Sequence, residues 1–112
     1  MGRRDDLLVA CAGDLLAKCG MPPELDLLDR VITACGPSAF SRTMATVDPE
    51  SAEDRDHIRT HFLMKKLGLR DGPELAEAIE AAFEAYPSGD SPRYRPVLYY
   101  LLVKFFGYDE AL

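Results

Sequence analysis

The regular placement of glycine and proline is the feature that most constrains how this chain can fold. Clusters of these residues at positions 20–23, 36–37, 68–73 and 86–92 each combine a helix stop with a turn or a helix start. Between the clusters, apolar side chains recur at three- and four-residue intervals, the spacing of an amphipathic helix. Strict alternation of apolar and polar residues, which is typical of a strand, is absent. The sequence therefore predicts an all-α fold, a compact orthogonal bundle of about five helices.

Helix-start and helix-stop residues indicate the boundaries of the predicted helices. Asp48 suits the N-cap of the third helix with Pro49 at its first position, and Asp71 or Gly72 caps the fourth. Residues 37–47 carry few apolar anchors, so a short helical turn and an irregular loop both remain open. The first four helices are predicted over about residues 4–19, from the residue after Pro23 to Gly36, from Pro49 to Gly68 and from Pro73 to Tyr86.

The last predicted helix, which ends at Phe106, is apolar on almost every side from Val97 onward, as in a helix enclosed by others. Its start depends on Pro96. If Ser91 were the cap, Pro96 would lack an N–H that the helix needs, so the helix either begins near Arg93 or bends. The residues expected at the centre of the core are Leu98, Leu101, Leu102 and Phe105.

The length and charge of the chain limit its organisation and its partners. A chain of 112 residues has the usual size of one domain, so we expect residues 1–112 to form a single domain. It has 13 basic and 19 acidic side chains, a net charge of −6. Because nucleic acids and anionic membranes attract basic proteins, we expect neither as a partner.

The cysteines and the apolar segments predict a cytoplasmic protein without a cofactor. Cys11, Cys19 and Cys35 are odd in number and form no Cys-x-x-Cys pair, so neither a disulfide framework nor a zinc ribbon is indicated. We expect reduced thiols in a reducing compartment. The longest apolar run, Val97 to Phe106, is about half as long as a membrane span requires, and no signal peptide is recognisable.

Several local strings occur together in an order that resembles a known family. They are Cys19-Gly20-Met21, Cys35-Gly36-Pro37, Lys65 to Leu69 followed by Asp71 to Leu75, and Tyr94-Arg95 before Tyr99 to Lys104. In this order they resemble a small bacterial family of uncharacterised proteins, domain-of-unknown-function (DUF) family 2853. The resemblance spans nearly the whole chain and implies a compact helical domain without an assigned activity. Pro96 departs from it, since an ordinary helix former is expected there.

His57 and His61 form a candidate metal site. They are four residues apart on a predicted helix, which puts both imidazoles on one face. Glu53 or Asp54 on the preceding turn would be the local choice for a third ligand. No glutamate follows the first histidine, so the metalloprotease signature is absent. The alternative is a pair of histidines on the helix surface.

Arg93 and Arg95 form a candidate anion-binding site. They flank Tyr94 near the start of the last helix, where positive charge opposes the helix dipole and needs a compensating partner. That partner is either a bound phosphate or carboxylate, or an acidic side chain of another helix such as the fourth.

The segment Phe62 to Phe83 imitates a DNA-binding helix-turn-helix. Its second helix would enter the major groove, but no lysine or arginine occurs from Pro73 to Tyr86. Carboxylates at these positions would repel phosphates, which excludes DNA binding through this helix. The acidic positions are Glu74, Glu77, Glu80 and Glu84.

No set of residues in the sequence has the pattern of a catalytic site, such as a nucleophile elbow or a phosphate-binding loop. We therefore favour a non-catalytic domain that acts through contact with another protein or as a homodimer. The alternative is a domain, enzymatic or not, that binds a small molecule, an anion or a metal. It would use Arg93 and Arg95, or His57 and His61.

Overall fold

The secondary structure is almost entirely helical in a computed structural model that describes residues 2–41, 44–87, 92–108 and 112. A 3₁₀ helix (Gly36–Phe40) follows the second helix, and a π-helical segment (Ile58–Met64) continues the third. The predicted all-α fold is confirmed. The α-helices of the described residues are α1 (Arg3–Ala17), α2 (Leu25–Cys35), α3 (Ala52–His57), α4 (Pro73–Ala85) and α5 (Arg95–Phe106).

The core is built around α5, which contacts α1, α2 and α4. Every residue from Arg95 to Val103 is buried, as expected for a helix enclosed by others. The prediction that Phe105 belongs to the core is wrong, because 49% of its surface is exposed. In the last turn of α5 it is Phe106 that packs against the core, while Phe105 points away from it. None of the helices described is long and apolar enough to cross a bilayer.

Helix α5 starts two residues after the predicted position at Arg93. With this start, Pro96 no longer interrupts the hydrogen bonds of the helix. The helix begins at Arg95, which places Pro96 in its first turn, where a backbone N–H has no acceptor within the helix. No bend is therefore needed. The alternative cap, Ser91, lies outside the described residues.

A small sheet, which the sequence analysis did not predict, joins the middle of the chain to the start of α5. Strands β1 (Thr46–Val47) and β2 (Arg93–Tyr94) are antiparallel, with Thr46 opposite Tyr94 and Val47 opposite Arg93. Strands of two residues are too short to show an alternating pattern. The backbone N–H of Arg95 extends the connection by donating to the carbonyl of Ala45 (2.9 Å).

The prediction that Asp48 is the N-cap of the third helix is wrong. The side chain of Ser51 caps α3 by accepting a hydrogen bond from the backbone N–H of Asp54 (3.2 Å). Asp48 instead accepts from the N–H of Glu50 (2.9 Å), and so stabilises a turn before the helix. At the other end the helical conformation stops at Met64 rather than Gly68, and α1 stops at Ala17 rather than at residue 19.

Candidate functional site

A cleft of about 430 Å³ lies between the C-terminal end of α2 with the 3₁₀ helix and the π-helical segment. One wall carries nitrogen-bearing side chains from α3, from the π-helical segment and from the turn that follows it. The opposite wall and the floor are largely uncharged, and none of the described residues that line the cleft is an aspartate or a glutamate. The nitrogen-bearing residues are His57, His61, Lys65 and Lys66. The uncharged ones are Ala34, Cys35, Pro37, Ser38, Phe62 and Tyr99.

The π-helical segment sets the shape of the nitrogen-bearing wall. Two hydrogen bonds show that the turns are wider here than in an α-helix. The N–H of Lys65 donates to the carbonyl of Thr60 (3.2 Å), and the N–H of Leu67 donates to the carbonyl of Phe62 (3.0 Å). Both bonds join residues five apart, whereas an α-helix joins residues four apart. Single π turns within α-helices occur frequently at functional sites.

His57 and His61 stack on each other, with ring centroids 4.4 Å apart and an angle of 27° between the planes. Burial lowers the pKa of His57, and the positive charges of Arg95 and His61 lower it further against the opposing effect of Asp54. His57 is therefore a neutral imidazole at physiological pH, and it offers one N–H donor.

The two histidines of the predicted metal site lie together, but no described residue beside them supplies a third ligand. Among the residues that the structure describes, no group of three or more His, Cys, Asp or Glu side chains is arranged to hold a metal ion. Asp54 is engaged elsewhere, because it accepts hydrogen bonds from the guanidinium of Arg95 (3.2 Å) and from the backbone N–H of Asp48 (3.0 Å).

Lys65 and Lys66 carry positive charge that nothing in the described part of the chain balances. Both side chains are exposed, and neither forms an ion pair or hydrogen bond with a described residue. Of the other described lysines and arginines, Arg70 alone is in the same situation. The rest contact a carboxylate or a carbonyl, and among them Arg4 pairs with Asp29 (2.9 Å). In an acidic protein, the cleft therefore holds most of the unpaired positive charge that is described.

Tyr99 forms the inner part of the cleft and has an unused donor. Its ring stacks on Phe62 with centroids 3.9 Å apart, and 3% of its surface is exposed. Its hydroxyl accepts a hydrogen bond from Nη1 of Arg95 (3.1 Å), but no described residue accepts its own proton. Burial raises the pKa of Tyr99 to about 12, so the hydroxyl stays protonated at neutral pH and remains a donor.

Cys35 and Ser38 are not arranged as nucleophiles. Burial raises the pKa of the Cys35 thiol to about 12, which keeps it in the unreactive thiol form. The hydroxyl of Ser38 donates to the backbone carbonyl of Cys35 (2.6 Å), so its proton is already engaged. The cleft as described is suited to binding rather than to covalent chemistry.

Neither Arg93 nor Arg95 is among the residues that line the cleft. Arg95 is fully buried and donates to Asp54, to the carbonyls of Met44 and Thr46, and to Tyr99. Its acidic partner thus belongs to α3 rather than to the fourth helix. Arg93 donates from Nε to the carbonyl of Tyr86 (2.5 Å).

The sequence analysis missed Lys65, Lys66 and Tyr99 as candidate site residues. One signal could have revealed Lys65: it lies four residues after His61, which lies four after His57, so the three share one helix face. No such signal exists for Tyr99, because its unused donor follows from contacts between distant segments.

Comparison with known proteins agrees with the resemblance found in the sequence. A family model described as "Protein of unknown function (DUF2853)" matches residues 10–110. The match includes all four helices and both strands from α2 to α5, and with them the whole cleft. No curated protein matches the chain. The chain belongs to the DUF2853 family of proteins of unknown function.

Proposed function

We propose that this protein binds a small anionic ligand in the cleft between α2 and the π-helical segment. The observation that carries the proposal is the pair Lys65 and Lys66, which have no ion-pair or hydrogen-bond partner among the described residues and line a cleft to which no described carboxylate contributes. This is one of the two classes of function that the sequence left open, although its residues differ from Arg93 and Arg95.

The electrostatics of the cleft favour an anion over a neutral or cationic ligand. Lys65 and Lys66 bring two positive charges to one cleft, and a bound anion would be attracted to both. The histidine N–H groups on the same wall supply further donors, and His57 does so while neutral. Since Lys65 and Lys66 are exposed, we expect the affinity to fall as salt screens their charge.

The experiment is a titration of the ¹⁵N-labelled protein with inorganic phosphate, followed by amide and histidine chemical shifts. We expect saturable shifts at His57, His61 and the neighbouring lysines. Lys65→Gln combined with Lys66→Gln removes both charges but keeps most of each side chain, and should weaken binding about tenfold or more.

Arg70→Gln is the matched control, because Arg70 is also exposed and without a partner in the described part of the chain, yet lies outside the cleft lining. It should leave the affinity within about twofold of the wild type. An equal loss in Arg70→Gln and in the double lysine variant would show that net charge, and not the cleft, attracts the anion.

A second candidate function, contact with another copy of the chain, is supported by the outer face of α1. Val9 and Leu16 lie seven residues apart on that face and are 69% and 61% exposed. Gly13 between them has open space around its α-carbon, so another helix could approach closely. Sedimentation equilibrium tests this proposal: the wild type should form dimers that Leu16→Glu dissociates, and a monomeric wild type at high concentration would contradict it.

A further inference from the structure

We propose that the ligand of the cleft is a small organic phosphate monoester whose body carries an acceptor oxygen for the hydroxyl of Tyr99. This inference rests on the proposed anion-binding function and specifies its ligand. It assigns the recognition of the phosphate to Lys65, Lys66 and His61 at the rim. Tyr99 is assigned the recognition of a hydroxyl or carbonyl oxygen at the inner end.

The donors at the rim suit a phosphate better than a carboxylate. Two ammonium groups and one exposed imidazole act as separate point donors, and a phosphate monoester offers three acceptor oxygens and a charge of about −1.5 to −2. A carboxylate carries one charge on two oxygens in a plane, and the planar fork of an arginine matches it best. The lining of this cleft, in the part of the chain that the structure describes, includes no arginine.

The volume of the cleft leaves room for more than a bare ion. At about 430 Å³ it lies within the range of about 300–1,000 Å³ usual for small-molecule sites. The uncharged surface of Ala34, Pro37 and Phe62 is available to the body of the ligand.

The unused proton of Tyr99 identifies where the body must carry an acceptor. The hydroxyl lies in a residue that is 97% buried, lines the cleft, and already accepts from Arg95. A buried donor without an acceptor is unfavourable, so the site is complete only when a ligand oxygen or a water accepts this proton.

The test compares glycerol 3-phosphate with propyl phosphate, which has the same phosphate and chain length but no hydroxyls. One hydrogen bond from Tyr99 should make glycerol 3-phosphate bind about fivefold more tightly to the wild type, as measured by calorimetry or chemical-shift titration. Tyr99→Phe removes the hydroxyl and keeps the ring that stacks on Phe62. In this variant the two esters should bind with about equal affinity. The affinity for propyl phosphate should stay within about twofold of the wild-type value.

Two further probes separate the failure of this inference from that of the proposed function. Glycerate carries the same hydroxyls on a carboxylate and should bind more weakly than glycerol 3-phosphate. If glycerate binds as tightly, or if Tyr99→Phe weakens both phosphate esters equally, the ligand class is overturned while anion binding stands. If inorganic phosphate and both esters all fail to bind, the proposed function is overturned as well.

The folded state of Tyr99→Phe is checked by its amide spectrum, since the variant also removes an acceptor of Arg95.

Discussion

Nη2 of Arg95 lies 3.2 Å from Oδ1 of Asp54 and thereby joins the first turn of α5 to α3. The same guanidinium donates to the carbonyl of Met44 before β1, to that of Thr46 within β1, and to the hydroxyl of Tyr99. Arg95 is therefore a fully buried charge whose donors are matched by acceptors from three parts of the chain. This arrangement connects the core helix to the wall of the cleft.

Replacing Arg95 should destabilise the protein strongly. Arg95→Met keeps the apolar stem but leaves the Asp54 carboxylate and the two carbonyls without their donor. We expect a loss of about 3–5 kcal/mol in the free energy of unfolding, because removing one partner leaves an uncompensated charge. Urea denaturation measures it.

Arg70→Met is the matched control for this prediction, since Arg70 is exposed and should change stability by no more than about 0.5 kcal/mol. Adding Asp54→Asn to Arg95→Met should recover part of the loss, because the amide no longer leaves a charge unpaired. Equal urea midpoints for Arg95→Met and the wild type would show that the ion pair contributes nothing.

The elements that could be predicted from the sequence are those set by local chemistry. The glycines at positions 36 and 107 adopt positive φ values of 62° and 68° at the ends of α2 and α5, where a residue without a Cβ is favoured. Likewise α4 begins at Pro73 as predicted. The cap of α3 was missed because Asp48 and Ser51 both satisfy the same local rule, and contacts around them decide between the two.

The candidate site was predicted in part, for the same reason. Four-residue spacing was enough to bring His57 and His61 together. The burial of Arg95 depends on β1, β2 and Asp54, which come together only in the folded chain. From the sequence, the partner of Arg95 stayed open between a bound anion and an acidic side chain of another helix, and the side chain was not predicted to lie in the core. Tertiary contacts make it a core residue instead.

The stability of the protein should fall on acidification because of His57. Burial and the charges of Arg95 and His61 lower its pKa in the folded state, against Asp54 and Asp56, so the unfolded chain binds the proton more readily. The contribution of His57 is present above about pH 6.5 and is lost as the pH falls through the lower folded value. His57→Gln should therefore lose less stability than the wild type between about pH 7 and pH 5 in urea denaturation. A parallel decline in both proteins would contradict the shifted pKa.

Zinc should not stabilise the protein through the two histidines. A ligand that binds the folded state raises the melting temperature by linkage, but the described residues offer no third ligand beside the imidazoles. We expect the melting curve in excess zinc to coincide with the curve in chelator, for both the wild type and His61→Ala. An increase that zinc produces in the wild type and that His61→Ala abolishes would reinstate a metal site.

Shortening Leu101 should show that α5 is the centre of the core. Leu101 is buried in the middle of α5, which α1, α2 and α4 surround, so its neighbours cannot close the cavity that Leu101→Ala leaves. We expect a loss of about 2–5 kcal/mol, a large part of the total stability of a domain of this size. Phe105→Ala, on the exposed side of the same helix, is the control and should lose at most about 1 kcal/mol. If the two variants unfold at the same urea concentration, α5 is peripheral, and its apolar surface serves to contact a partner rather than to hold the bundle together.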